Sequence, residues 1–521
     1  MFQYYRKLAA LGVALALTGC QSTPKQPAPS PQPAAQAPSD VTVPHVFSDN
    51  MVLQREKPVP IWGWGKEGAT VTVTFGTNTA SARVKDGKWV AWLHPLQLGP
   101  PRTLTISAGV PVVFTNVLVG DVWLAGGQSN MEFPLKSAFQ ADADVAAADN
   151  PNIRLLKVPH TRLGEPTNNI NAHWEECNPR TAANISAVAY YFARALQEKV
   201  WVPIGILESD WGGTPAEAWM GEDFLRAHPY YEIEIMGEWA QASDNYNRNL
   251  AAYEAAQRQA KATNTEFTNR PPGRPWKPAE LYNGMIAPLL PFAIEGTIWY
   301  QGESNAGSPH RAMQYHKLFP DLIRDWRSAW GEGEFPFLLV QLAPFMKIRN
   351  EPGESNWALL REAQLLSTQV LSNVGMAVIT DVGDETNIHP TKKKPVGERL
   401  ALAARGIAYH QPIEYTGPTL KEAHAVSGVV YLTFDHVAGG LQAHGGKLLG
   451  FTVAGADRKY YPAEAEIQGA DRVAIRTPEV PQPVAVRFGW ADYPVVNLWN
   501  TAGLPASPFR TDNFPTVPPA K

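Results

Sequence analysis

Cysteine is nearly absent from this sequence: it occurs twice in 521 residues, at Cys20 and Cys177. That excludes a disulfide framework, and no paired Cys-x-x-Cys motif is present to hold zinc. An excess of one charge is also missing. Forty-five Lys and Arg face 49 Asp and Glu, a formal net charge of −4. No basic tract stands out that would bind nucleic acid by neutralising phosphates. Long apolar runs are missing too; the longest near the N-terminus, Leu8 to Leu17, is too short to span a bilayer. Neither a His-Glu-x-x-His zinc helix nor a glycine-rich phosphate loop of Walker spacing occurs. The Gly-x-Ser-x-Gly elbow is absent as well, because Met131 ends the run Gly127-Gln128-Ser129-Asn130-Met131. The expectation is a chain without metal or cofactor, held together by packing.

What is present begins with a targeting pattern. Arg6 and Lys7 precede the apolar run, which ends in Leu17-Thr18-Gly19-Cys20. This resembles the lipobox of bacterial lipoproteins, with residues 1–19 as signal peptide and Cys20 as the lipidated residue. Gln21 rather than Asp after the cysteine resembles outer-membrane sorting, so the expected location is the outer membrane, facing the periplasm or the surface. Residues 20–43, rich in Pro, Ala and Gln, have too few large apolar side chains to offset their ordering entropy and read as a tether. Cys177, the remaining thiol, reads as a small buried residue.

Residues 44–118 alternate apolar and polar residues in short runs such as Thr70-Val71-Thr72-Val73-Thr74-Phe75, separated by turn signals. They predict a small β-sandwich. From 119 to 410 strand-like runs alternate with helical ones. Ala187 to Val200 has a helical period with Ser186 as N-cap, and helices are expected around Tyr315 to Trp330 and Ala358 to Leu371. Strands are expected at Pro203–Leu207, Gly296–Tyr300, Phe337–Leu342 and Met376–Thr380. This alternation predicts an α/β domain, a parallel sheet with helices on both faces. A polar helical insertion near 221–278 reads as a lid or substrate wall. Short strands return over 411–512 as a second β-sandwich.

In an open parallel sheet, ligands sit beyond the carboxyl ends of the strands. Four strand ends carry glycine with polar side chains: Gly126 to Asn130, Ser209 to Thr214, Gln301 to Asn305, and Asp381 to Asp384 followed by Asn387-Ile388-His389-Pro390. Acyl transfer needs a nucleophile, a base, oxyanion donors and a group that orients the base. Ser129 is the candidate nucleophile and His389 the candidate base. The N–H groups of Ser129 and Gly213, with an amide of Asn305 or Gln301, are candidate oxyanion donors. Taken singly, a Gly-x-Ser is ordinarily a turn and a lone histidine ordinarily structural. Four such loops in the order one sheet requires carry more weight.

The stretches GDVWLAGGQSNMEF, ESDWGGTPAEAW, YNGMIAPLLPFAIEGTIWYQGESNA, LREAQ, DVGDETNIHPTKKKPVGERLALAAR and WADYPVVNLWNTAGLPASPFRTD together resemble bacterial sialate O-acetylesterases, serine esterases of the SGNH-hydrolase class. The resemblance runs from about Val46 to Asp512. It implies an SGNH-hydrolase-like sheet flanked by β-sandwiches, Ser129 as nucleophile, His389 as base and Gly213 as oxyanion donor, with the Gln301–Asn305 loop, Glu303 included, completing the site. Some relatives carry Asp two residues before the histidine, where this chain has Asn387. Asp384 is then the preferred acid for orienting His389, with Asp381, Glu303 or a Ser-His dyad as alternatives. The implied substrate is an O-acetylated sialic acid or related glycan sugar, with acetylxylan or another polysaccharide as the rival. A catalytically inactive glycan-binding lipoprotein is the rival of another class. Trp211, Trp219 and Trp299 are candidate sugar walls, with core packing as the more ordinary role of such residues.

Overall fold

One strand of 16 residues, Val112–Gly127 (β1), joins the first third of the molecule to its centre. The structure is a computed structural model that describes residues 40–515. Along its first half β1 alternates half-buried and exposed residues and pairs antiparallel with Arg102–Ser107. From Val117 onward every residue is buried, and from Leu118 onward the neighbours are parallel. The change of pattern marks the passage from a sheet with one wet face to a sheet covered on both. Asn116, in the left-handed region at φ 55°, sits at the transition.

The expected boundary at 118/119 therefore falls inside a single strand. Strands Thr70–Phe75, Asn78–Arg83 and Arg102–Ser107 extend the central sheet. They share a core with a three-stranded sheet of Val41–Thr42, Val59–Gly65 and Lys88–Leu93. The N-terminal module is thus two-layered, but one layer is continuous with the central sheet. Val41 and Thr42, expected in the tether, pair with Gly65 and Trp64. The expected signal peptide and Cys20 lie outside the described residues.

The central sheet continues with β2 (Asn150–Lys157), β3 (Glu175–Cys177), β4 (Ile204–Asp210), β5 (Gly296–Tyr300), β6 (Phe337–Val340) and β7 (Val374–Ala377). Their order in space is β3-β2-β4-β1-β5-β6-β7, all parallel except the edge strand β3. The chain fills one side of β1 first and then crosses to the other. That reversal opens a crevice at the carboxyl end of β1.

Because strand side chains alternate between faces, Trp123 and Ala125 enter one core while Val122 and Leu124 enter the other. After Ser129–Glu132 (α1) at the strand end, Ala187–Val200 (α2) and Lys394–Ile407 (α6) cover the first face. Pro309–Trp330 (α4) and Asn356–Val370 (α5) cover the second. The cap on α2 is as expected: Ser186 Oγ accepts from Ala189 N–H at 3.1 Å. Helix α4 begins six residues before the expected Tyr315, because Ser308 caps it and Pro309 supplies a preset φ at its first position.

The 221–278 insertion contains the 25-residue helix Glu238–Ala262 (α3), which buries no side chain. Among the described residues no helix is long and apolar enough to cross a membrane. The C-terminal module packs two four-stranded sheets around Leu432, Ile475, Val453, Phe488 and Phe509. Buried Arg361 of α5 ties it to the sheet, donating to the carbonyls of Ala491 (2.7 Å) and Asp492 (2.9 Å).

Candidate active site

The turn after β1 is built around Gly127, whose φ is 139°. A Cβ at this position would lie 2.1 Å from the Tyr300 carbonyl oxygen, so no other residue fits. The next N–H, from Gln128, donates to that same carbonyl at 3.0 Å. The buried Gln128 side chain reaches the opposite way: its Oε1 accepts from Gly302 and Ser304 N–H, each at 3.3 Å. Ser129 then opens α1. Beside it, Gly212 donates its N–H to Glu132 Oε2 (2.7 Å) and approaches so closely that a Cβ there would sit 3.1 Å from Ser129 Cβ. Among the described residues, neither Ser129 N–H nor Gly213 N–H has an acceptor.

His389 arrives from the loop after β7. Its Nε2 lies 2.8 Å from Ser129 Oγ, across 260 residues of sequence. Its backbone N–H donates to Asn387 Oδ1 at 2.9 Å. Burial holds the imidazole below its ordinary pKa, the Lys393 ammonium adds to the depression, and the Glu132 carboxylate partly offsets it. Behind the pair lies a buried network. Asn130 Nδ2 donates to Glu303 Oε1 (2.5 Å) and to the carbonyl of Ile388 (3.0 Å), and Asn130 Oδ1 accepts from Lys393 Nζ. Lys393 is buried at 1% exposure, its ammonium 5.1 Å and 5.2 Å from the ring centres of Phe133 and Tyr300. Burial pulls it down to about 7 although Glu303 opposes the change. Burial raises Glu303, against backbone N–H donors and Asn130.

A serine at hydrogen-bond distance from an imidazole, beside two N–H groups without acceptors, is the equipment of ester hydrolysis. Relatives agree. Residues 273–405 match the family model SASA, described as carbohydrate esterase, sialic acid-specific acetylesterase. The mouse sialate O-acetylesterase (Mus musculus) is 31% identical over 516 residues, covering 89% of this chain and 93% of the relative. The chain belongs to the sialate O-acetylesterase family. It is an esterase, a carboxylic ester hydrolase. The human sialate O-acetylesterase is 29% identical, with 89% and 91% of the two chains covered. The crystal structure of a carbohydrate acetylesterase from Xanthomonas citri superposes with a TM-score of 0.79 at 39% identity, covering 91% of this chain and 100% of the other.

Within this esterase several expected partners sit elsewhere. Asp384, the preferred acid for His389, does not touch it. Asp384 Oδ1 accepts from Thr386 N–H (2.8 Å), Thr386 Oγ1 (2.9 Å) and Asn387 N–H (3.0 Å). These donors, and not an imidazole, hold the exposed carboxyl below its ordinary pKa. Asp381 forms a two-point ion pair with Arg399 of α6, at 2.6 and 2.8 Å. Glu303 is held on Asn130. Among the described residues, nothing hydrogen-bonds His389 Nδ1.

The expected side-chain oxyanion donors are likewise committed. Asn305 Nδ2 donates to Glu217 (3.0 Å), while its Oδ1 accepts from Gln301 Nε2 (2.7 Å) and Ala216 N–H (3.0 Å). Gln301 also donates to the Thr214 carbonyl (3.1 Å) and accepts from Tyr315 (2.7 Å). Both amides clamp the Gly213 loop to the loop after β5 instead of facing Ser129. Gly213 itself has a φ of 73° and open space where a side chain would be. Sequence reasoning missed Lys393, which is flanked by two further lysines and carries no local mark of its burial.

Gly213 and Ser304 also line a cleft of about 490 Å³, walled by Trp239, Trp276, Glu217 and Arg311. Trp211 stands beside it, stacked on His160 at 4.2 Å and edge-on to Trp276 at 5.2 Å. Trp219 and Trp299, for which core packing is the more ordinary reading, are fully buried and pack edge to face at 6.1 Å. They are core. One cluster of metal-compatible spacing occurs among the described residues, Glu234, Glu238 and His310, outside the loops that hold the dyad.

Proposed function

We propose that the esterase removes O-acetyl groups from sialic acid or a related glycan sugar through an acetyl-serine intermediate, on an SGNH-hydrolase-type sheet. The observation that carries the reading is the 2.8 Å contact between Ser129 Oγ and His389 Nε2. Ser129 Oγ attacks the acetyl carbonyl carbon while its proton passes to Nε2. The carbonyl electron pair moves onto oxygen, toward the Ser129 and Gly213 N–H groups. Collapse expels the sugar oxygen, which takes the proton from His389. Water then attacks the acetyl-serine, gives His389 a proton, and acetate leaves as Ser129 is reprotonated.

Ser129→Ala is expected to lower acetate release from an aryl acetate by about a thousandfold or more. Circular dichroism and melting should match the wild type. Turnover at the wild-type rate, or no labelling of Ser129 by a fluorophosphonate probe, overturns the mechanism.

A second substrate reading rests on the cleft. Sialic acid carries a carboxylate. Among the described residues lining the cleft, the cation is Arg311, which is already paired with Glu217, and Glu238 adds another negative charge. A neutral sugar stacked on Trp276 or Trp239 meets no such repulsion. That favours an acetylated neutral polysaccharide such as xylan. Acetate release from O-acetylated sialic acid and from acetylated xylan, compared at equal acetyl concentration, separates the two.

A further inference from the structure

An ordinary serine esterase places an acid behind its histidine, and the acid raises the proton affinity of the ring. Here, among the described residues, the ring has no such partner, and the charge reaching it from behind is positive. We propose that Lys393, whose buried ammonium is held on the Asn130 amide between the Ser129 turn and the His389 loop, is a positioning residue that keeps His389 in the basic form at mildly acidic pH. The proposal rests on the Ser129–His389 reading above.

The geometry leads to Lys393 by two covalent neighbours. Asn130 directly follows Ser129, and Ile388 directly precedes His389. The Asn130 amide bonds the Ile388 carbonyl at 3.0 Å, so one side chain fixes the serine turn against the histidine loop. Lys393 Nζ donates to the other end of the same amide, and Glu303 accepts from it at 2.5 Å. Among the described residues Lys393 has no ion pair within 4 Å; its counter-charge lies one amide away, on Glu303. Glu303 Oε2 is buried without a hydrogen-bond partner. An ammonium placed between two aromatic rings, without direct neutralisation, projects its field onto nearby groups with little screening.

The charged and titratable groups around the imidazole are few. Lys393 comes from the N-terminal end of α6. Glu132 comes from α1, but its carboxylate is engaged by Gly212 N–H and lies 3.4 Å from His160. Glu303 comes from the loop after β5 and acts through Asn130. Asp384, in the histidine's own loop, is solvated and turned to Thr386. Among the described residues, Lys393 and Glu132 act on the ring through charge, with opposite signs.

The arrangement reverses an ordinary expectation. Lys393→Met removes the positive charge, so the acid limb of kcat/KM moves to higher pH. Glu303→Gln removes the carboxylate that helps Lys393 keep its proton. Lys393 then turns neutral at lower pH, and the limb again moves up. An acid that supported His389 directly would give the opposite sign on removal.

The test is the pH profile of kcat/KM for an aryl acetate between pH 4.5 and 8, for wild type, Lys393→Met and Glu303→Gln. Both variants are expected to raise the apparent pKa of the acid limb by about half a unit to one unit. A limb that stays in place or moves down in either folded variant overturns the proposal. Should Lys393→Met fail to fold, the isosteric Glu303→Gln decides alone. If wild-type turnover survives Ser129→Ala, the dyad reading fails instead, which keeps the two failures apart.

Discussion

At the scale of single residues, the informative contrast is between two polar groups near His389 that look interchangeable in sequence. Asp384 is a carboxylate five residues before the histidine, and Asn130 is an amide 259 residues away. The carboxylate spends its hydrogen bonds on Thr386 and Asn387 and shapes the loop. The amide joins the two halves of the dyad. Asp384→Asn keeps the Oδ1 acceptor and is therefore expected to leave kcat/KM within about a factor of three, with the acid limb unmoved. Steady-state kinetics on an aryl acetate check this. A loss near the ten-thousandfold scale of a triad acid would return Asp384 to the catalytic apparatus. Sequence spacing pointed to Ser129, Gly213 and His389 because glycine and polar residues gather at strand ends. It could not find the partner of His389, since Asn387 Oδ1 turns to the histidine's own N–H and a short loop has several ways to satisfy an exposed Asp.

Elements show why some of the fold was legible and some was not. Helix α2 is predicted residue for residue because a capping serine and an apolar period agree. The strand positions follow from β-rich runs, with ends shifted by a few residues; β7 ends at Ala377, three residues before the expected Thr380. The boundary at 118/119 was not legible, because the change from alternation to continuous apolar character reads like a domain border. In fact it records a change of neighbours along one strand. Trp219 and Trp299 stayed open between core and sugar wall in the sequence, and it is Trp326 of α4, edge-on to Trp299 and donating to the Trp219 carbonyl, that marks both as core. Gly127 gives a prediction at this scale. Alanine there combines an unfavourable φ with a 2.1 Å clash against the backbone of β5. Gly127→Ala is expected to cost about 2–4 kcal/mol of stability, measured by denaturant unfolding. Activity should fall further than the remaining folded fraction explains, because the Ser129 turn is displaced. A cost below about 0.5 kcal/mol would mean the two strands part without penalty.

On the scale of the whole molecule, the N-terminal module is joined to the catalytic sheet through charged groups as well as through β1. Arg55 pairs with Asp121 at 2.8 Å, and Gln54 donates to Glu295 at 2.9 Å. Lys57 lies 3.5 Å from Glu295 and 3.6 Å from Glu332. Burial raises both glutamates to about 7; Lys57 opposes the shift at each, and Asp121 adds to it at Glu295. Two acids sharing one partly exposed lysine cannot both be neutralised by it. In the unfolded chain they titrate near 4.3–4.5. Between that value and 7 the folded protein holds more protons than the unfolded one. Their contribution is therefore fully present below about pH 4.5 and is lost as pH rises through 7. At about 1.4 kcal/mol for each pH unit between those values, the loss is on the order of 3 kcal/mol per group before relaxation. Other buried acids, Asp210 among them, titrate in the same sense. The diagnostic quantity is thus the difference between wild type and the double variant Glu295→Gln, Glu332→Gln. Unfolding free energy of the wild type should fall relative to the double variant as pH rises from 5 to 8, and the gap should stop changing above pH 8. A gap that is constant across this range, or that closes as pH rises, would mean that the junction keeps both carboxylates ionised without cost.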